Sequence, residues 1–126
     1  MTWDEFQRDY LDLLQIGQEF DLYGYKPVGV PEYLQDASAS TVSILRMRAG
    51  TKEMSKKRCH KAMKSKHLWQ LTTDDGARFL YFQDGPRRFI FVGASRKVKE
   101  SKFQLEVARA DRLRAEYFEL KEGKVK

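Results

Sequence analysis

Cysteine is nearly absent from this chain. Cys59 stands alone, which excludes an internal disulfide and fits a reducing compartment. Histidine is as scarce, with only His60 and His67, so Cys59, His60 and His67 fall short of the four ligands of a closed structural zinc site. Long apolar runs are missing too. Stretches such as "FIFV" are far too short to span a bilayer, and "MTWDEFQRDY" carries early acids instead of an apolar leader core. These shortages point to a soluble, cytoplasmic protein with no metal and no cofactor. Neither an internal repeat nor a low-complexity linker interrupts the 126 residues, which suffice for one domain over 1–126 and one hydrophobic core.

Charge, by contrast, is plentiful and unevenly placed. Residues 1–45 hold eight acids and two bases, residues 46–66 nine bases and one acid, and residues 67–126 thirteen bases and nine acids. Blocks segregated in this way predict one basic face turned toward a polyanion and an acidic end turned away from it.

The apolar pattern predicts an α+β fold. Thr2 and Glu5 form a T-x-x-E capping box, and Trp3, Phe6, Tyr10 and Leu13 follow at helical spacing up to Gly17, giving a helix at about 2–16. "EFDLYGY" is rich in strand formers, and the prolines and glycines of "KPVGVP" stop it. The serine-rich "ASAST" can cap a further helix through "VSILRMRA". From about 67 to 95, three alternating runs, "HLWQLTT", "ARFLYFQ" and "RRFIFVGAS", are separated by the turns "DDG" and "DGP" and predict an antiparallel sheet with a three-strand meander. Trp69 and Leu71 share one side; in the second run Arg78, Leu80 and Phe82 oppose Phe79 and Tyr81. Both sides are apolar enough that helices should cover at least one. Ser101 and Gln104 open a second capping box, and Phe103, Val107, Ala110, Leu113, Tyr117 and Leu120 line one stripe of an amphipathic helix over about 102–121.

"SKKRCHKAMKSKH" (55–67) is the densest basic stretch. Wound as a helix, it would turn Cys59, Ala62 and Met63 inward and leave Lys57, Arg58, Lys61, Lys64 and Lys66 outside, a surface suited to phosphates through counterion release. Adjacent helical residues point about 100° apart, so Cys59 and His60 make a poor nucleophile–base pair. A solvated loop or a nuclear signal would need no more than the same cluster of bases.

From about Leu68 onward the chain resembles the RelE/HigB superfamily of type II toxins, in its HigB-like and phage Gp49-like branch. The residues that carry the resemblance are "LWQL", "ARFLYFQDG", "RRFIFVGA", "SRKVKES" and "LEVARADRL"; "YGYKPVGVPEYL" is similar to the family's first strand and the start of the helix after it. The helix predicted at 2–16 lies outside the pattern. The resemblance implies a RelE-like fold and a metal-independent endoribonuclease that cleaves mRNA on the ribosome and is neutralised by a helix-turn-helix antitoxin. It also implies catalytic roles for Arg78, in the position of the second-strand arginine that stabilises transition-state charge, and for Lys97 and Lys99 on the lysine-rich exit of the last strand, with Arg96 there binding RNA. Two lysines of the RelE branch are replaced here by Leu68 and Gln70, and a tyrosine early in the last helix by Phe103. The general acid and base are therefore open. Lys64, Lys66 and His67 precede the first meander strand as candidates, and histidine is the one of these side chains that titrates near neutrality when free. A non-catalytic nucleic-acid-binding module and a ParE-like gyrase inhibitor are the alternatives on the same fold.

Overall fold

The computed structural model describes residues 1–16, 20–28, 59–62, 65, 67–72, 77–96 and 99–123. The helix expected from "VSILRMRA" and the "DDG" turn lie outside these residues, as do Lys57, Arg58, Lys64, Lys66 and Lys97.

The chain begins with a short helix, α1 (Trp3–Tyr10), capped as its sequence predicts. Thr2 Oγ1 accepts from the Glu5 amide at 3.2 Å while the Thr2 amide donates to Glu5 Oε2 at 3.0 Å, satisfying two of the orphan donors at a helix start. Helical spacing predicts that α1 continues to residue 16, and the structure corrects this. At Leu11 the backbone turns extended (φ −118°, ψ 134°), and Leu11–Ile16 becomes strand β1, antiparallel to β2 (Asp21–Tyr25). Leu11, outside the expected helical stripe, joins the core, whereas Leu13, which that spacing would turn inward, is left 49% exposed on the edge strand. A register shift between Leu13 and Gln15 marks a bulge there, which blunts an otherwise open edge.

The remaining strands are β3 (Cys59–Lys61), β4 (Trp69–Thr72), β5 (Ala77–Asp84) and β6 (Arg88–Arg96), and the sheet order is β1-β2-β6-β5-β4-β3. β4, β5 and β6 are consecutive antiparallel neighbours. The expectation of a wholly antiparallel sheet is corrected by β2, which pairs parallel with β6 from Asp21↔Arg88 to Gly24↔Phe91. Parallel neighbours need a long crossover, and here nearly half the chain separates the two strands.

The basic stretch is corrected as well. Residues 59–61 do not wind as a helix but form β3, in register with Leu71, Gln70 and Trp69 of β4. A tight reversal joins the two: the Ala62 amide donates to the Leu68 carbonyl at 3.0 Å, and Ser65 Oγ accepts from the Leu68 amide at 3.0 Å while donating to Asp111 at 2.9 Å. Local backbone pairing with an existing edge strand outweighs the helical spacing of Cys59, Ala62 and Met63.

Strand alternation sorts the apolar side chains into two clusters. Phe20, Leu22, Leu71, Ala77, Phe79, Tyr81, Phe89 and Phe91 form one, with Trp69 packed against it. Leu68, Leu80, Phe82, Ile90 and Val92 form the other, together with Phe6 of α1 and Phe103, Val107, Ala110, Tyr117 and Leu120 of the long helix α2 (Glu100–Lys121). The predicted stripe of α2 is thus the stripe that packs on the sheet. Its start differs: Lys99 is the N-cap, with no side-chain cap, so Ser101 lies inside the first turn and does not close it. Gly85 (φ +83°) turns β5 into β6 in a conformation that L side chains rarely adopt.

Candidate functional site

On the face covered by α1 and α2, the cross-strand register sets three polar side chains in a row. Thr72 of β4 is the partner of Arg78 of β5, and Arg78 is the partner of Ser95 of β6. Directly opposed residues point to the same face with Cβ atoms about 4.5–5.5 Å apart, so a hydroxyl stands on each side of the guanidinium stem. The next row inward is Gln70, Leu80 and Gly93. Gln70 is a nearly buried polar residue whose Nε2 lies 3.5 Å from Thr72 Oγ1, at the limit of a hydrogen bond.

The Arg78 guanidinium carbon lies 4.9 Å from the centroid of the Phe103 ring, a cation–π contact that holds the side chain against the first turns of α2. No hydrogen bond or ion pair to another described residue engages that guanidinium. Ser95 Oγ is closed off from solvent and likewise has no hydrogen-bond partner. Lys99 is exposed at the head of α2, where its carbonyl accepts from the Phe103 amide at 3.0 Å. With no side-chain cap, the partial positive charge of the helix start faces the same end of the sheet as Arg78 and Lys99.

Phe103 thus links the two: its ring touches Arg78 and its amide donates to the Lys99 carbonyl, which sets both residues at one end of the sheet, where Arg96, the partner of Ala77, ends β6. Lys61 is placed elsewhere, in β3 opposite Trp69. His67 is separated from Arg78. It precedes Trp69, the partner of Tyr81, whereas Arg78 pairs with Thr72, so the two lie roughly 15 Å apart along the strands at about 3.3 Å per residue. His67 is exposed, and its amide is 3.3 Å from Ser65 Oγ. Tyr81 is fully buried in the core of the opposite face.

Sequence reasoning misses Thr72 and Ser95. Ser95 carries a readable signal, a hydroxyl at the end of the apolar run "FIFVGAS", but its alignment with Arg78 depends on a bulge. The register between β5 and β6 shifts after Leu80↔Gly93 to Tyr81↔Phe91, leaving Val92 as the extra residue. Without that insertion the strand would present the wrong side chain beside Arg78.

Among the described residues no group of three His, Cys, Asp or Glu side chains gathers as a metal site, and no helix is long and apolar enough to cross a membrane. The row holds a permanent cation and two hydroxyls, with the Gln70 amide in the row behind it, a set that can bind an oxyanion and stabilise charge developing on it. No family model matches the chain, and comparison with curated proteins and with solved structures gives no match either.

Proposed function

We propose that this protein is an endoribonuclease toxin with a RelE-like fold and its three-strand meander, acting in the cytoplasm on mRNA at the ribosome and held in check by a helix-turn-helix antitoxin. One observation carries the reading: Arg78 stands between Thr72 and Ser95 on the sheet, free of any carboxylate partner among the described residues, at the end where α2 starts with Lys99. A structural arginine at a sheet–helix junction ordinarily finds a carboxylate or a carbonyl; this one donates to neither among the described residues, as an anion-binding group needs.

In the reaction, the ribose 2′-oxygen loses its proton and attacks the adjacent phosphorus. The bond from phosphorus to the 5′-oxygen breaks, and that oxygen takes up a proton, leaving a 2′,3′-cyclic phosphate and a 5′-hydroxyl. Negative charge grows on the non-bridging oxygens, and the Arg78 guanidinium offers them donors in a fixed planar fork. Lys97 and Lys99, with the basic residues Lys57, Arg58, Lys61, Lys64, Lys66 and Arg96, hold the flanking phosphates by charge.

A second reading, RNA binding without cleavage, is favoured by the absence of a carboxylate or imidazole from the described row. Induced expression separates the two. The ribonuclease arrests growth and leaves transcripts ending in 2′,3′-cyclic phosphate or 3′-phosphate, and Arg78→Ala lowers cleavage about 10²–10³-fold, the usual effect of removing one charge-stabilising donor. Intact transcript ends at high expression would sink the proposal in favour of binding alone.

A further inference from the structure

Among the described residues two buried side-chain polar atoms have no hydrogen-bond partner, Arg88 Nε and Ser95 Oγ, and only Ser95 lies beside Arg78. Burying a hydroxyl without a partner is unfavourable, and an alanine of nearly the same shape would remove the cost. It is also not randomly placed: it is the cross-strand partner of Arg78, which is itself the partner of Thr72, and all three lie on the face beneath the start of α2. Thr72 Oγ1 lies within reach of the Gln70 amide, which as a donor would leave the Thr72 hydroxyl proton for another acceptor. Three donors of the same handedness toward an anion thus stand on three adjacent strands, spaced about 4.8 Å from one strand to the next. A phosphate, with oxygens on several sides of one centre, can accept from more than one of them at a time.

We infer that Thr72, Arg78 and Ser95 form a phosphodiester subsite, in which the Ser95 hydroxyl donates to a non-bridging oxygen of the same phosphate that Arg78 holds. This rests on the proposed RNA substrate and names Ser95 and Thr72 as its binding groups. Ser95 Oγ is closed in the free protein, so a phosphate reaches it only through movement of side chains around it, and in this proposal that movement is Arg78 leaving the Phe103 ring. That contact is a weak one for a long, flexible side chain to leave. Ser95 contributes no hydrogen bond to the resting fold, and so its replacement separates binding from stability.

The test uses the full chain and a short oligoribonucleotide with 2′-O-methyl groups, which binds but cannot undergo 2′-attack. Titration followed by amide NMR should shift Thr72, Arg78 and Ser95 together. Ser95→Ala should weaken binding about tenfold or more, as expected for a hydrogen bond to a charged group, while its melting temperature stays equal to or above that of the wild type. Thr72→Val should weaken binding by a smaller factor. If Ser95→Ala and Thr72→Val bind as the wild type does while the wild type still cleaves unmodified RNA, the subsite is wrong and the ribonuclease reading survives. If the wild type binds the probe through these residues but leaves unmodified RNA intact, the subsite stands and the ribonuclease reading falls. No binding of the probe overturns the subsite.

Discussion

The two ends of the helix-covered sheet face are built for opposite purposes. At the end where β5 turns into β6, aromatic rings crowd together: Tyr117 packs edge-on to Trp3 with centroids 5.0 Å apart and to Phe82 at 5.1 Å, and Phe6 stacks on Trp3 at 5.5 Å. Most polar groups there are partnered, the buried Nε of Arg88 being the exception among the described residues. Asp84 accepts from both the Tyr117 hydroxyl and Lys121, Tyr25 donates to Glu116 at 3.0 Å, and Arg88 donates to Gln7 at 3.0 Å while its guanidinium lies over the Tyr23 ring. At the other end, Thr72, Arg78 and Ser95 face the start of α2 with one ring, Phe103, and almost no hydrogen bonds among them. The difference teaches where stability resides and where it has been left out. The aromatic end joins α1, α2 and the sheet; the polar end keeps unsatisfied donors.

Phe82→Ala breaks the comparison most directly. Phe82 is 1% exposed and packed against Tyr117 and Phe118, and its truncation should cost about 3–5 kcal/mol in denaturant-induced unfolding. Asp84→Asn comes next, at about 1–3 kcal/mol, because two donors lose a charged acceptor. This effect has a pH signature. Burial alone would raise the Asp84 carboxyl, but hydrogen bonds from Lys121 and Tyr117 hold it below its ordinary value of 3.8. Its contribution is therefore present above that value and lost as pH falls through the lower folded value, so acid denaturation curves of wild type and Asp84→Asn should converge as pH falls well below 3.8.

Tyr117 supplies the alkaline counterpart. Burial first, and then the hydrogen bond to Asp84, push its phenol well above the ordinary 10.0. The unfolded chain ionises at that ordinary value while the folded one does not, so stability contributed below pH 10 should decline as pH rises beyond it. Tyr117→Phe should flatten this decline in thermal melts between about pH 9 and 11.

At the polar end the stability effects should be small. Arg78→Ala should change unfolding free energy by no more than about 0.5 kcal/mol, since the guanidinium makes a ring contact and no hydrogen bond to the described residues. A loss of several kcal/mol there would show Arg78 to be part of the scaffold and would erase the contrast. His67→Ala is the smallest change expected, with stability and RNA cleavage both within about twofold of wild type, because His67 is exposed and far along the strands from Arg78. A large loss of cleavage would move the site toward the basic stretch.

Much of the packing is legible without coordinates because it is periodic. The alternation in "ARFLYFQ" assigns Leu80 and Phe82 to one face and Phe79 and Tyr81 to the other, and the helical spacing from Phe103 to Leu120 identifies the buried stripe of α2. Local chemistry is legible for the same reason, as the Thr2–Glu5 capping box shows. Short elements are harder to read. The three residues of β3 carry too little pattern to compete with an apparent helix, and Leu13 falls at helical spacing from Tyr10 by coincidence.

What the sequence determined by itself was the face each strand and helix turns inward and the arginine that stands out at the start of β5. Those follow from interactions between residues a few positions apart. The tertiary structure decided which side chains become neighbours across strands: β2 beside β6, the Val92 bulge, and through it the row of Thr72, Arg78 and Ser95. Register between distant segments depends on the packing of the whole sheet, and a slip of one residue would turn every side chain of a strand to the other face.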